Sequence, residues 1–440
     1  MSLLMETTRR IDLLVAEGQS QGRTPTLVAG IVRAGALVHF AAAGELLSPE
    51  RSMQYRIGSI TKTMTAVLIM QLRDRGLLDL DDPLEAHLPG TPVGAVTLRQ
   101  LLGHAGGLQR EPEGQWWERA DGADLTTLLA GLTPGKLSHP PHRAYHYSNL
   151  AYGLLGAVAE ALTGRGWAEL LTERVLEPLG MTRTTYLEQE PYATGYVVHP
   201  WHETLREEPR TDTGAMAPAG QLWSTAEDLA RWAAFLASPD PGVLAPQTLA
   251  EMCVPVIMSD LDSWRSGHGL GLQLHRVGER VYTGHGGSMP GYVAGLAVHR
   301  PTRTGVVTFA NAYGLRTGSI GEFTRTLLTT VLDAEPEPTS PWRPRPQRPS
   351  PEIDQLCGRW WWMGEEYEFT WDPHRDELVR TRLQPAGGQV CFRHEEGDRW
   401  RGTGGDEHGE TMTVLRDENG QVTALDIATF VFTRDPDRLR

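Results

Sequence analysis

Two residue types three positions apart, in Gly58-Ser59-Ile60-Thr61-Lys62, carry the first chemistry in this 440-residue sequence. Residues three apart share a helix face, so the Ser59 hydroxyl and Lys62 amine would stand side by side where the apolar run Thr63 to Leu72 begins. A serine hydroxyl needs a neighbour to take its proton, and a desolvated lysine can do so because burial lowers its pKa. Arginine stays charged and cannot. Of the 41 Lys and Arg residues only Lys62 and Lys136 are lysine, so the amine at position 62 stands out. The competing structural reading is a serine at a helix start with a solvated lysine one turn on.

Two later stretches bear on that choice. Tyr145-His146-Tyr147-Ser148-Asn149 precedes an apolar helix, Leu150 to Leu162. On an extended loop Tyr147 and Asn149 project to one side, as a proton relay and an amide that could hold a carbonyl. Ser148 or Asn149 could also simply cap the helix. Further on, Tyr282-Thr283-Gly284-His285-Gly286-Gly287-Ser288 lies in a strand-rich region, Gly267 to Ala312. Glycines beside a strand edge admit a second backbone or a ligand and leave N–H groups free, as an oxyanion hole requires. The plain alternative is a bulged hairpin. His104, just past the short helix Thr97 to Leu102, is expected to cap carbonyls. His139, His142 and His146 are not expected to bind zinc, because Pro140-Pro141 breaks their register.

The elements that would position these residues follow from periodicity and punctuation. Met5 to Ala16 reads as a helix ended by Gly18 with Gly22. Thr26 to Val32 and Ala36 to Ala43 read as a hairpin turning at Ala34-Gly35. Trp167 to Leu176, Ser224 to Leu236 and Gly318 to Leu332 read as further helices, and Tyr192 to His199 as a strand. Residues 336–352 form a proline-rich linker between a first domain, 1–335, and a second, 353–440. The second carries about eight short strands at regular spacing, the pattern of a small antiparallel barrel.

Composition narrows the function classes. A formal charge of −14 opposes nucleic acid or an anionic membrane as partner. No apolar run approaches a membrane span and no leader pattern opens the chain, so a cytoplasmic location is expected. Cys253, Cys357 and Cys391 are too few and too scattered for a disulfide framework or a zinc site; Cys357 and Cys391 share the last domain and could pair, but buried free thiols are expected there.

Ser59-x-x-Lys62, Tyr147-Ser148-Asn149 and His285-Gly286-Gly287, in that order and separation, resemble the serine β-lactamase and penicillin-binding-protein family. The similarity is greatest to the branch holding class C β-lactamases, related esterases and D-aminopeptidases. It spans about residues 5 to 335, including Leu101 to Leu108 and Ser224 to Leu229. The resemblance implies an α+β fold: an antiparallel sheet flanked by helices, with a helical region and the motifs in a cleft between them. It also implies roles. Ser59 would form an acyl-enzyme; Lys62 and a Tyr147 phenolate would share base and acid work; Asn149 would hold the substrate amide; the Ser59 and Ser288 N–H groups would form the oxyanion hole. No cofactor or metal is implied.

One departure shifts the expected substrate. The family's usual Lys-Thr/Ser-Gly is replaced by His285-Gly286-Gly287, and a neutral histidine is a weak anchor for a carboxylate. Small-molecule esters, amides or peptides are therefore favoured over efficient β-lactam turnover. A D-aminopeptidase, another peptidase or a weak β-lactamase is the alternative within the family. A ligand-binding protein or slowly acylated sensor is the alternative outside it. The barrel resembles a lipocalin-like domain, and its place after the linker leaves homo-oligomers open.

Overall fold

A computed structural model describes residues 2–44, 50–336, 348–384 and 386–437. The chain divides into two compact units, Met1–Pro338 and Thr339–Arg440. Residues 337–347 of the proline-rich segment lie outside the described residues.

The first unit is built on an eight-stranded antiparallel sheet. Its first hairpin joins β1 (Thr26–Arg33) to β2 (Ala36–Gly44) through Ala34 and Gly35, whose φ values of 48° and 87° suit the twist of a two-residue turn. The later strands are β3 (Ile257–Met258), β4 (Ser266–His268), β5 (Gln273–Val277), β6 (Arg280–Met289), β7 (Tyr292–His299) and β8 (Thr304–Ala310). Their order is β2-β1-β8-β7-β6-β5-β4-β3, so the chain's first hairpin closes one side of a sheet made mainly after residue 256.

Strand β1 is buried on both faces. Leu27, Ala29 and Ile31 enter one core, with Ile11 and Val15 of α1 (Met5–Gly22) and Leu327, Leu328 and Val331 from near the C-terminal end of the unit. Val28 and Val32 enter the other, larger core. That core contains α2 (Thr61–Asp74), α3 (Asn149–Thr163) and the apolar face Leu229, Trp232, Ala233 and Leu236 of α4 (Ala226–Ala237). Thr225 caps α4 by accepting the Asp228 N–H at 3.1 Å. The last helix, α5 (Ile320–Ala334), starts in a capping box of Ser319 and Glu322. α2 is not amphipathic: every residue from Thr61 to Leu72 is buried.

Three expectations change. α1 runs on through Gly18 to Gly22. A Cβ at Gly18 would come within 2.9 Å of the Phe323 ring, so this glycine permits close helix packing where a stop was expected. The segment Trp167–Leu171 is α-helical but continues as a π-turn over Thr172–Leu176. The strand expected over Tyr192 to His199 is only Tyr196–Val198, paired with Leu205–Glu207.

The second unit is a closed antiparallel barrel of β9 (Gly358–Trp362), β10 (Glu365–Asp372), β11 (Glu377–Gln384), β12 (Gln389–Glu396), β13 (Arg399–Gly402), β14 (Thr411–Arg416), β15 (Val422–Ile427) and β16 (Phe430–Thr433). Closure pairs β9 with β16 and leaves no free edge. Trp360, Phe369, Phe392, Met412, Leu425 and Phe432 fill the interior. Arg434 lies 3.9 Å over the Trp360 ring and donates to the Arg359, Gln355 and Cys357 carbonyls. All three cysteines are free, but Cys357 and Cys391 are half-buried where buried thiols were expected.

Candidate active site

Sheet pairing explains where the glycine motif meets the serine. β7 pairs with β6 as far as Met289, whereas β5 pairs with it only as far as Gly284. Beyond that point one edge of β6 is released, and the Gly58–Ile60 turn packs against it. Gly58 has φ of 49°, and a Cβ there would come 2.5 Å from the Ser288 nitrogen. A Cβ at Gly287 would collide with the Ile57 carbonyl oxygen and stand 3.3 Å from the Ser59 nitrogen. The two glycines thus set the Ser59 and Ser288 backbones on facing segments. The motif lies within a strand rather than in a bulged hairpin.

Ser59 sits in a 3-10 turn that runs directly into α2. Lys62, in the first turn of α2, is wholly buried; its Nζ donates to Ser59 Oγ at 2.9 Å and to the Ala219 carbonyl oxygen. Burial pushes the amine down to about 7, against the opposing pull of Glu118 and Glu111 and with further lowering from Arg110. No carboxylate forms an ion pair with it among the described residues. The solvated-lysine reading is therefore excluded.

Tyr147 joins this pair. Its phenol shares a side-chain hydrogen bond with Ser59, which draws its pKa down, but burial dominates and holds it well above the ordinary value. Lys62 Nζ lies 5.1 Å from the Tyr147 ring centre. Ser148 is the helix cap, accepting the Ala151 N–H at 3.0 Å and donating to the Gln109 carbonyl at 2.7 Å. A helix cap at Ser148 and a tyrosine beside Ser59 thus coexist in one tripeptide. Asn149 opens α3, only 2% exposed, with Nδ2 donating to Glu111 Oε1 at 2.8 Å.

The histidines take other places. His104 caps no carbonyl with its side chain: Nδ1 accepts the Ser148 N–H at 3.0 Å, and its ring lies 4.4 Å from Tyr147. It braces the tyrosine loop. His285 Nδ1 donates to the Gly286 carbonyl, and burial, then Lys62, pushes its pKa down to about 3. It is a neutral ring, 6.1 Å from Tyr147 and 5.8 Å from His268. The His139 and His146 rings lie 5.6 Å apart, and among the described residues no group of three or more His, Cys, Asp or Glu could hold a metal.

Sequence reasoning passed over Glu111, Glu118, His268 and the Ala219 carbonyl. The two glutamates occupy an aperiodic loop after Leu108. Glu111 also accepts from Trp117 Nε1 at 2.7 Å, and Glu118 from Trp116 Nε1 at 3.1 Å. The nearest signal was the other lysine: buried Lys136 donates to the Glu111 carbonyl at 3.1 Å and pairs with Glu113, so it braces this loop.

Comparison with known proteins sets this geometry in a family. The beta-lactamase family model matches residues 11–329, and a model of a domain of unknown function (DUF7586) matches 349–434. Beta-lactamase-like protein 2 of Dictyostelium discoideum is 25% identical over 369 residues, 78% of this chain and 67% of its own. The chain spans 54% to 67% of the length of the first three such curated relatives. A D-stereospecific amidohydrolase from Streptomyces sp. is 26% identical with a TM-score of 0.61, covering 76% of this chain and 99% of its own. The octameric penicillin-binding protein homologue from Pyrococcus abyssi shares the fold at 20% identity and a TM-score of 0.67, covering 97% of this chain and 99% of its own. With a match over most of its length and the sheet, helices and motifs arranged as described, the chain belongs to the beta-lactamase family.

Proposed function

We propose that the chain is a serine hydrolase that cleaves an ester or amide through an acyl-enzyme on Ser59, without a cofactor. The observation that carries this reading is the 2.9 Å contact between Ser59 Oγ and a wholly buried Lys62 whose pKa falls to about 7. Lys62, neutral in about half the molecules near pH 7, takes the Ser59 proton as Oγ attacks the substrate carbonyl. The resulting oxyanion is held by the Ser59 and Ser288 N–H groups. The proton passes to the leaving group through the Tyr147 hydroxyl. Water then attacks the acyl-enzyme, its proton moves to Lys62, Ser59 leaves with a proton, and the acid is released.

The choice of base follows from the opposed shifts. Burial favours the neutral form of each group, making Lys62 a free base and Tyr147 an un-ionised phenol. Tyr147 is therefore a proton donor and relay in this reading, and the phenolate role implied by the family resemblance is set aside. A neutral His285 offers no cation to a substrate carboxylate, which supports esters and amides over penicillins. The 26% identical relative described as a D-stereospecific amidohydrolase supports amides in particular. Binding of an apolar ligand by the barrel has less support, because aromatic side chains occupy its interior.

Hydrolysis of p-nitrophenyl acetate and butyrate beside nitrocefin, with wild type and Ser59→Ala in parallel, tests the reading. Ester turnover lost in the variant and slow nitrocefin turnover are expected. Equal activity in both proteins would overturn it.

A further inference from the structure

β6 loses one of its two partner strands just before the glycine motif. Pairing with β5 stops where Gln273 stands opposite Gly284. Continued in the same register, β5 would set Gly271 opposite Gly286, with the Gly271 carbonyl facing the Gly286 N–H. The chain turns aside there instead. Gly271 has φ of 79°, and a Cβ on it would come 2.2 Å from the Ala66 Cβ, so this backbone lies against α2 one turn beyond Lys62. The Gly271 N–H donates to the Leu102 carbonyl at 3.1 Å, and the Leu272 carbonyl accepts the Gly269 N–H at 2.8 Å. Both groups are thereby turned to partners other than β6.

A side chain fills the vacated rung. Gln273 Oε1 accepts the Gly286 N–H at 3.2 Å. The donor is a backbone N–H, so the oxygen end of the amide faces it. The Gln273 backbone is itself held on both sides, by Gly284 of β6 and His268 of β4. The segment it reaches has little else to fix it there. Gly286 and Gly287 carry no side chains to pack, glycine backbone is the freest in φ and ψ, and a Cβ at Gly286 would meet nothing within 4 Å. Alternate residues of a strand turn their N–H groups to the same edge, so Gly286 and Ser288 share the edge that β5 leaves. On that edge the Ser288 nitrogen lies against Gly58, the residue before Ser59.

We propose that Gln273 is a positioning residue for the oxyanion hole, its side-chain carbonyl standing in for the strand carbonyl that β5 withdraws. The bond pins the Gly286–Ser288 backbone, and with it the Ser288 N–H, at a fixed distance from the Ser59 turn. This goes beyond the serine hydrolase reading and rests on it for the chemistry served. Gln273 touches no reacting atom. It acts through Gly286, and its effect falls on the transition state, where charge gathers on the substrate oxygen, more than on substrate binding. The withdrawal of β5 leaves that edge open beside Ser59, and the glutamine supplies the rigidity that the lost pairing would have given.

Amide exchange tests the brace without turnover. Hydrogen–deuterium exchange read by mass spectrometry follows the peptide spanning residues 282–292 in wild type, Gln273→Met and Gln273→Glu. Methionine keeps the length of the side chain and loses the acceptor, whereas glutamate keeps an oxygen in its place. Exchange is expected to be about tenfold faster in Gln273→Met and close to wild type in Gln273→Glu. Unchanged exchange in Gln273→Met overturns the proposal whatever the turnover result. Circular dichroism of each variant checks folding. In catalysis, kcat for p-nitrophenyl butyrate is expected to fall about tenfold in Gln273→Met with KM within about twofold of wild type. Inhibition by phenylboronic acid, whose tetrahedral adduct with Ser59 places an oxygen in the hole, is expected to weaken by the same factor, and Gln273→Glu to restore both. A fall in kcat without a matching loss of boronate affinity, or one shared equally by Gln273→Glu, also overturns it. Ester turnover that survives Ser59→Ala would instead count against the hydrolase reading, and the two failures are separable.

Discussion

Lys62 in the first unit and the largely buried Arg380 in the second are treated in opposite ways. Arg380 in the barrel has its charge met: Glu407 pairs with it at 2.5 Å, and the guanidinium lies 5.2 and 5.5 Å over Tyr367 and Phe432. Among the described residues Lys62 has no acid at contact distance, and its neighbours include a hydroxyl, a carbonyl oxygen and two tyrosine rings. The arginine cannot shed its proton, and here an anion offsets the cost of its burial. The lysine can shed its proton, and burial without an anion lowers its pKa towards that of a base. In the proposed reading the arginine serves the fold and the lysine serves chemistry.

Substitutions at the two sites should separate these roles. The largest effect is expected from Lys62→Arg, which restores a permanent charge: kcat for p-nitrophenyl butyrate should fall by about a thousandfold or more in steady-state assays. A loss under tenfold would mean that the base lies elsewhere. Tyr147→Phe should cost about a hundredfold, in the range of a single general acid or base, while Lys62 keeps its contact with Ser59.

Stability should respond in the reverse order. Glu407→Ala leaves Arg380 buried and unpaired, and should cost the barrel about 3 kcal/mol in denaturant unfolding, with ester turnover retained. Lys62→Met removes an unpaired buried amine and puts apolar atoms in its place. It should abolish turnover yet leave the unfolding midpoint within about 1 kcal/mol of wild type, or above it. A Lys62→Met protein as unstable as Glu407→Ala would erase the distinction.

The pH profile sharpens the comparison further. Lys62 is protonated below about 7 and neutral above it. kcat/KM should therefore rise with pH through a midpoint near 7 and then level, because the Tyr147 phenol stays un-ionised well above that range. A profile rising only near pH 10 would assign Lys62 an ordinary, solvated pKa.

How far the sequence carried this account depends on the range of each interaction. Ser59 and Lys62 were legible because a three-residue spacing is local and because lysine is scarce in this chain. All eight barrel strands were legible from alternation and turn residues, since neighbouring strands pair in sequence order. Gly18 was misread because a glycine that ends a helix and one that admits Phe323 look alike until the partner helix is in place. The acidic loop was missed for the same reason at longer range: Glu111 meets Asn149 across 38 residues of chain, and nothing periodic marks either glutamate. Tyr147 was found, but the state of its phenol depends on burial, which spacing does not report.

The most direct test of the central claim is the rate and site of covalent modification by a fluorophosphonate, followed by intact mass and peptide mapping across pH 5 to 9. The account predicts one adduct per chain, on the peptide carrying Ser59, forming at a rate that rises with a midpoint near pH 7 and is lost in Lys62→Met. No adduct, an adduct on another residue, or a rate that ignores Lys62 would contradict it.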